Sequence, residues 1–208
     1  MIKGVIFDMD GVLVDSEYFY EQRRREFFRR MDFIPEYQGD FIGSNEPEMW
    51  RILVPDDSEF REQMMQGYRA YRRLHPTPYG ELLDPAVPEL FRCLKARGIR
   101  IGIASSSPKE TVRHLMALAG VETLVDNILT GEECAAYKPA PEIYLRSMEA
   151  MDLSPETSFA VEDSPAGIRA AVDAGMRVYA LRPRHGEKLD QSSAHGVLRS
   201  LDEVLTKI

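Results

Sequence analysis

The sequence predicts an α/β fold, with a parallel sheet as its core and an α-helical unit inserted after the first strand. Three observations predict it. Five short apolar runs have the character of strands, helical patterns separate the later ones, and residues 16–81 hold helical patterns only. Strands and helices that alternate along a chain form a Rossmann-like, doubly wound sheet with helices on its faces.

The predicted strands are bounded by residues that start and stop helices. Ser107 and Pro108 predict a helix start after the second strand, and the Asp-Ser-Pro sequence at 163–165 predicts another after the fourth strand. Gly175 predicts the end of that second helix. The five strands are expected at residues 5–8, 99–105, 127–130, 158–163 and 177–181.

The inserted unit breaks the alternation. Its helical patterns cover residues 17–31, 47–53 and 58–74, and the Pro- and Gly-rich stretch 75–80 predicts a linker back to the sheet. We therefore expect a discontinuous core, residues 1–15 with 82–208, and a helical unit at 16–81. The hinges are expected near 15–17 and 77–81.

Composition excludes several classes of protein. The chain has 208 residues, 44% of them hydrophobic and 29% charged, and its formal net charge is −8. No apolar run approaches the roughly 20 residues that span a bilayer, and an acidic chain is a poor general partner for nucleic acid. The start, MIKGVIFD, does not resemble a secretory signal. We expect a cytoplasmic protein without membrane attachment, and a monomer by default.

Two helical stretches are rich in arginine. The arginines of the first stretch alternate with Glu21 and Glu26, which favours a solvated helix face over a basic binding patch. The arginines of the second stretch would suit a ligand with a second anionic group, although a solvated face is again favoured. The two sets are Arg23, Arg24, Arg25, Arg29 and Arg30, and Arg69, Arg72 and Arg73.

Chemically reactive side chains follow four of the predicted strands. In an open parallel sheet, ligands bind outside the carboxyl ends of the strands, so these side chains are expected to meet in one crevice. They are Asp8 and Asp10 after the first strand, Ser105, Ser106 and Ser107 after the second, Lys138 after the third, and Glu162 and Asp163 after the fourth.

The loops that carry these residues resemble a known family. FDMDGVLVDSE (7–17), IASSSP (103–108), YKPAPEIY (137–144) and VEDSPAGIRAA (161–171) are similar to the four motifs of the haloacid dehalogenase superfamily, in the family's order. The inserted unit resembles the small helical cap of the phosphoglycolate phosphatase and beta-phosphoglucomutase branch. The resemblance covers the whole core and implies phosphoryl-transfer chemistry.

The catalytic roles implied by the resemblance are chemically reasonable. Asp8 is the expected nucleophile and would form an aspartyl phosphate, because a carboxylate attacks phosphorus without first losing a proton. Asp10 would protonate the leaving oxygen and then activate water. Ser105 and the amides near Ser106 would bind the phosphate, and Lys138 would hold Asp8 and the phosphoryl group together.

The resemblance also implies a Mg²⁺ ion. Its expected ligands are Asp8, the backbone carbonyl of Asp10 and Asp163, with Glu162 acting through a metal-bound water. Mg²⁺ prefers such oxygen ligands and usually keeps several waters. The alternative for Glu162 and Asp163 is capping of the following helix, a role that Asp163 could partly serve.

Other residues of the first motif and of the insert have expected roles. Asp15, with Ser16, is expected to cap the first insert helix, and Gly11 to let the chain turn sharply. Substrate contacts from the cap are expected at Tyr20, Gly43, Ser44 and Asn45, and the substrate is expected to be a small phosphorylated metabolite such as a sugar phosphate.

Two departures favour a phosphatase over a mutase. Beta-phosphoglucomutases carry a histidine where this chain has Tyr20, and an arginine after the glycine of the cap loop, where this chain has Ser44, Asn45 and Glu46. An acidic Glu46 does not bind a distal phosphate as arginine does. A sugar phosphate mutase remains the alternative, and a binding protein without catalysis is a third hypothesis.

Overall fold

Six parallel strands form one sheet. The computed structural model describes residues 1–37, 41–42 and 46–208. The strand order is β3-β2-β1-β4-β5-β6, and every described pair of neighbours is parallel. The strands are β1 (Gly4–Phe7), β2 (Arg100–Ser105), β3 (Asn127–Thr130), β4 (Ser158–Glu162), β5 (Arg177–Leu181) and β6 (Gly196–Leu198). The five predicted strands are confirmed to within one residue at either end, whereas β6 was not predicted because its apolar run is too short.

Helices flank the sheet and fill the insert. They are α1 (Glu17–Arg30), α2 (Glu46–Leu53), α3 (Ser58–Leu74), α4 (Tyr79–Leu82), α5 (Val87–Ala96), α6 (Lys109–Leu118), α7 (Glu142–Ala150) and α8 (Pro165–Asp173). The three insert helices are confirmed to within one residue. The linker predicted at 75–80 ends earlier than expected, because α4 begins at Tyr79. None of the helices in the described part of the chain has the length and apolarity to cross a bilayer.

Successive residues of β1 serve two separate cores. Val5 and Phe7 lie in one apolar cluster with residues of α5 and α6, whereas Ile6 lies in another with residues of α7 and α8. Side chains of a strand alternate between the faces of a sheet, so a strand that is apolar at every position is buried on both faces. The central strands are therefore rigidly held, which positions the loops at their ends.

Helices α1, α2 and α3 have an apolar cluster of their own. It is built around Phe27, Trp50, Met64 and Tyr68. The chain enters and leaves this helical segment through two stretches that lie side by side. There the Asp15 amide donates to the Leu82 carbonyl (2.8 Å), and the Asp84 amide donates to the Leu13 carbonyl (3.0 Å). The two crossing segments lie beside the predicted hinges.

The three predicted helix boundaries lie where expected, to within a residue, but one of the expected capping side chains is wrong. The Ser164 hydroxyl accepts a bond from the Gly167 amide (3.0 Å) at the start of α8, and Gly175, with φ +78°, follows the end of that helix. Ser107 does not cap α6. Its hydroxyl donates instead to Asp10 Oδ2 (2.6 Å), because a hydrogen bond to a carboxylate is stronger than one to a neutral acceptor.

The expected cap at Asp15 was also wrong. Asp15 Oδ2 lies 2.8 Å from Nε2 of His185, in the loop after β5, and the described N-terminus of α1 has no side-chain cap. The Ser16 hydroxyl donates to Asp10 Oδ1 (2.5 Å). Neither side chain caps α1, because Asp15 pairs with His185 and Ser16 bonds the Asp10 carboxylate.

Candidate active site

The site lies at the carboxyl edge of the sheet, between β1 and β4. The chain proceeds from β1 outward to β2 and β3, and then returns to β4 on the other side of β1. Such a reversal opens a crevice between the loops that leave the two central strands. Asp8 directly follows β1, Glu162 is the last residue of β4, and Asp163 follows it.

Lys138 connects the acidic residues of this crevice. Its Nζ lies 2.6 Å from Asp8 Oδ1, 2.6 Å from Glu162 Oε1 and 2.9 Å from the Ala104 carbonyl oxygen. All three ammonium protons are thus donated, and the side chain is buried. The predicted contact between Lys138 and Asp8 is present.

One ammonium faces three carboxylates in this cluster. The ligand oxygens of Asp8, Glu162 and Asp163 lie within 4.8 Å of one another, and all three residues are buried. Burial raises the pKa of Asp8 to about 8, with Lys138 opposing the shift and Glu162 adding to it. Burial, followed by repulsion from Asp8, raises the pKa of Asp163 well above its ordinary value. The cluster therefore has too little positive charge to ionise fully by itself.

Lys138 stays charged in these surroundings. Burial opposes its charged form, but the carboxylates of Asp8 and Glu162 outweigh burial and raise the pKa of Lys138 above its usual value. A protonated lysine with every donor used is a fixed positive charge. It holds the Asp8 carboxylate in one orientation.

Glu162 is the most enclosed member of the cluster. Its Oε1 accepts from Lys138 and, at 2.5 Å, from the Tyr144 hydroxyl. From the described residues its Oε2 receives only longer bonds, from the Asp163 amide (3.2 Å) and the Ser164 hydroxyl (3.3 Å). Oε2 is therefore the oxygen with capacity left for a further partner, while Oε1 fixes Lys138.

Asp10 is held by hydroxyl groups from three parts of the chain. Ser16 and Tyr20 donate to its Oδ1 (2.5 and 2.9 Å), and Ser107 donates to its Oδ2 (2.6 Å). The Tyr79 hydroxyl lies 2.8 Å from that of Tyr20. Burial, with the nearby charge of Asp10, raises the pKa of Tyr20 far above its ordinary value, so this phenol stays a proton donor. Tyr20 thus contributes to the site through Asp10.

The serine loop divides its tasks among its three members. Ser105 is fully buried, and its hydroxyl accepts from the Ser107 amide (3.0 Å). Ser106 and Ser107 line the cavity just before α6 begins. Ser105 therefore shapes the loop, and the neighbouring residues form the wall that a phosphate would meet at a helix N-terminus.

Gly11 allows Asp163 to approach the first motif. Its φ is +77°, and a Cβ placed there would lie 1.9 Å from Asp163 Oδ2. Only glycine combines this backbone conformation with that lack of a side chain. The predicted turn at Gly11 is confirmed. The lack of a side chain at Gly11 also lets the loop after β1 pack against the loop after β4, which is far away in the sequence.

A cavity of about 350 Å³ lies above these residues, between the sheet loops and the helical segment. Its lower wall includes Asp8, Asp10 and Asp163, and its upper wall includes Tyr20 and Glu46. Gly43, Ser44 and Asn45, which were expected to contact substrate, lie outside the described residues. A cavity of this size suits a small metabolite.

The solvated-face interpretation was wrong for part of the arginine sets. Arg25, Arg29 and Arg30 are exposed and pair with Glu21 or Glu26. In contrast, Arg23 is buried and Arg24 is half-buried. Both line the cavity, as do Arg69 and Arg72 of the second set. One helix turns successive residues to different sides, so a run of arginines divides between solvent and cavity.

Sequence reasoning missed several residues that support the site. Tyr144 binds Glu162 and Tyr79 binds Tyr20. A Cβ at Gly167 would lie 1.9 Å from Glu162 Oε1. The glycine in the loop sequence DSPAG was the one available signal, since a glycine in a helix interior is costly without a packing reason. No local pattern distinguishes the two tyrosines from ordinary core residues.

The acid cluster fits a hard divalent cation. Its donors are carboxylate oxygens, which Mg²⁺ prefers, and a divalent cation would balance the excess negative charge that raises the pKa values of Asp8 and Asp163. The Asp10 side chain is occupied by hydroxyl donors, which agrees with the expectation that Asp10 offers its backbone carbonyl. Only its backbone carbonyl remains a candidate ligand.

Comparison with known proteins identifies the family. The family model for haloacid dehalogenase-like hydrolases matches residues 2–175. A phosphorylated carbohydrates phosphatase of Thermotoga maritima is 30% identical over 86% of this chain and 84% of that protein, and a phosphoglycolate phosphatase of Aquifex aeolicus is 23% identical over 85% and 83%. The structure of a beta-phosphoglucomutase from Clostridium difficile superposes with a TM-score of 0.75 at 22% identity, covering 100% of this chain and 97% of that one. With its Asp8–Lys138 pair, acid cluster and reversed strand order in place, this chain belongs to the haloacid dehalogenase-like hydrolases.

Proposed function

We propose that the chain is a Mg²⁺-dependent phosphatase that hydrolyses a small phosphorylated metabolite, of the sugar phosphate kind, through an aspartyl phosphate on Asp8. The observation that carries this proposal is the buried cluster of three carboxylates around one lysine, directly below a small cavity. Relatives named as phosphatases of phosphorylated carbohydrates and of phosphoglycolate support it.

Asp8 attacks phosphorus in the first step. Lys138 occupies Oδ1 at 2.6 Å, which leaves Oδ2 as the attacking oxygen. A bond forms between Oδ2 and phosphorus, and the bond from phosphorus to the ester oxygen breaks. Asp10 donates a proton to that oxygen, and the alcohol leaves.

The second step returns both carboxylates to their starting state. Asp10, now unprotonated, takes a proton from a water molecule whose oxygen attacks phosphorus. The bond between phosphorus and Asp8 Oδ2 breaks, inorganic phosphate leaves, and Asp8 is a free carboxylate again. The hydroxyls of Ser16, Tyr20 and Ser107 orient Asp10. Releasing some of these bonds lets Asp10 take up and give up the proton.

The cation would be held by Asp8, Asp163 and the Asp10 backbone carbonyl, with Glu162 behind them. When bound, Mg²⁺ supplies positive charge that offsets the charge on the phosphoryl oxygens. Ser106, Ser107 and the N-terminus of α6 bind the phosphate from the other side. Residues 16–81 act as a cap that excludes bulk water and contacts the leaving group.

Replacing Asp8 tests the nucleophile. Asp8→Asn keeps the size of the side chain but removes its nucleophilic charge, so phosphate release from a panel of sugar phosphates, phosphoglycolate and nucleotides with Mg²⁺ should fall at least about 10³-fold. The matched control is Asp173→Asn, a change at a surface residue that pairs with Arg169, and it should keep full activity. Activity retained in Asp8→Asn would refute the proposed nucleophile.

The mutase alternative has its own test. Tyr20 occupies the position of the mutase histidine and donates to Asp10, and Glu46 forms ion pairs with Arg69 and Arg72. Both observations favour hydrolysis. Following beta-glucose 1-phosphate by phosphorus NMR should show phosphate release without glucose 6-phosphate, and isomerisation faster than release would establish the mutase instead.

A further inference from the structure

The upper wall of the cavity is rich in positive charge. Four arginines line it, Arg23 and Arg24 from α1 and Arg69 and Arg72 from α3. The lower wall carries the carboxylates of the acid cluster. A phosphoryl group bound at the lower wall would not reach the upper one, so the upper arginines face another part of the substrate.

Three of these arginines already have partners. Arg69 lies 3.1 Å from Glu46 Oε2, and Arg72 Nη1 lies 3.9 Å from Glu46 Oε1. Arg23 donates from Nη1 to the His75 carbonyl (3.0 Å) and to the Thr77 hydroxyl (3.1 Å). These contacts tie the arginines to the helical segment and to the hinge, which gives each of them a structural use.

Arg24 differs from the other three. Its guanidinium lies 4.9 Å from the centre of the Phe41 ring, and within the described ranges it has neither a hydrogen bond nor an ion pair. Its neighbour Glu21 pairs with Arg25. Burial lowers the pKa of Arg24, with the nearby Tyr68 and Glu17 opposing the shift. An arginine nevertheless stays protonated near neutral pH, so the cavity wall holds a half-buried positive charge whose donors have no hydrogen-bond partner among the described residues.

A guanidinium that lines a cavity without a polar partner among the described residues can bind a carboxylate or a phosphate through two parallel N–H···O bonds. We propose that Arg24 determines specificity by binding a second anionic group, a carboxylate or a phosphate, on the far end of the phosphorylated substrate. This inference rests on the proposed function of the same cavity. The volume of about 350 Å³ limits the substrate to a short molecule with its two anionic ends on opposite walls.

Glu46 sets how much charge this subsite offers. By pairing with Arg69 and Arg72 it neutralises part of the wall, and Arg24 then supplies the attraction for the second group. The Arg24 guanidinium lies over the Phe41 ring, a contact that holds the group without using its hydrogen-bond donors.

The test measures binding rather than turnover, in the Asp8→Asn background with Mg²⁺ present. Calorimetry compares two matched pairs of esters: 2-phosphoglycolate against ethyl phosphate, and glucose 1,6-bisphosphate against glucose 1-phosphate. Arg24→Met, which keeps the apolar stem, should weaken binding of an ester with two anionic groups by about tenfold or more. Binding of the counterpart with one anionic group, its phosphate, should change by less than about twofold. The affinity of Arg24→Lys for an ester with two anionic groups should fall between the affinities of Arg24→Met and of the parent.

The matched control is Arg29→Met, on the exposed side of the same helix, where Arg29 pairs with Glu26. It should leave all four affinities unchanged. A loss confined to one pair identifies the second group as a carboxylate or as a phosphate. Equal losses for both members of each pair, or no loss for any, would overturn the proposal.

The test also separates this proposal from the proposed function. If the unmodified chain releases no phosphate from any ester, the phosphatase fails, yet the affinities in the Asp8→Asn background still decide the role of Arg24. If phosphate is released but Arg24→Met changes no affinity, the phosphatase stands and the subsite is refuted. Circular dichroism of each variant verifies folding.

Discussion

Lys138 is the residue on which the geometry of the acid cluster depends. Its three donors reach Asp8, Glu162 and the Ala104 carbonyl, and each of these lies on a different loop or strand end. The sequence predicts that a lysine joins the acids, because a charge there is useful to phosphoryl transfer. It does not predict the fixed orientation, which depends on Glu162 and, behind it, on Tyr144.

Tyr144 gives a test at this scale. Tyr144→Phe removes the hydroxyl that donates to Glu162 Oε1 and leaves a buried carboxylate oxygen with one donor fewer. We expect the free energy of unfolding, from urea denaturation, to fall by about 1.5–3 kcal/mol. Tyr179→Phe, at a half-buried tyrosine whose ring packs on Phe159, is the control and should change it by less than about 0.5 kcal/mol. Equal losses in both variants would contradict a special role for the Tyr144 hydroxyl.

At the scale of elements, loop conformation decides which side chains meet. Period and composition located β1 to β5 and the insert helices to within a residue. Ser107 and Asp15, however, do not cap helices as expected: Ser107 bonds Asp10 and Asp15 pairs with His185. The sequence also did not predict which side of α1 faces the cavity, because the charged residues of this helix do not lie on a single polar face. Arg23 and Arg24 therefore resembled Arg25 until the packing was known.

Gly11 gives a test of loop packing. Gly11→Ala should suffer both from its φ of +77° and from a Cβ 1.9 Å from Asp163 Oδ2. Gly120→Ala shares a positive φ of +65° but meets nothing within 4 Å, and Gly80→Ala has neither problem. Thermal unfolding should show a loss of about 1–2 kcal/mol for Gly120→Ala, a larger loss for Gly11→Ala, and almost none for Gly80→Ala. If Gly11→Ala and Gly120→Ala lose the same free energy of unfolding, the contact with Asp163 does not affect stability.

For the whole molecule, the sheet gathers acids from distant parts of the chain at one edge. Burial, and after it repulsion from Glu162 and Asp10, raises the pKa of Asp8 from the ordinary value of 3.8 to about 8. The folded chain then holds a proton more tightly than the unfolded one. This contribution to stability is present below pH 3.8 and is lost as the pH rises through about 8.

The effect of Mg²⁺ on stability should depend on pH through the same titration of Asp8. Without metal, stability should decline as the pH rises, and Mg²⁺ should restore it because the ion competes with protons for the same oxygens. Melting temperatures with EDTA or with Mg²⁺ should therefore differ by several degrees at about pH 8.5 and by little at about pH 5.5. Asp163→Asn should reduce the difference, and Asp173→Asn should not. A Mg²⁺ effect of equal size at both pH values would contradict this coupling.

The sequence by itself determined the α/β class, five of the six strands in the described part of the chain and the residues that follow them, because buried parallel strands need apolar runs and reactive residues follow their carboxyl ends. It also indicated Asp8, Asp10, Lys138, Glu162 and Asp163, since such acids at strand ends are costly without a partner. Only the tertiary structure decided their partners: Tyr144 on Glu162, Tyr20 on Asp10, and Arg24 facing the cavity. Burial and close approach set hydrogen bonding and pKa, and both depend on contacts between residues far apart in the chain.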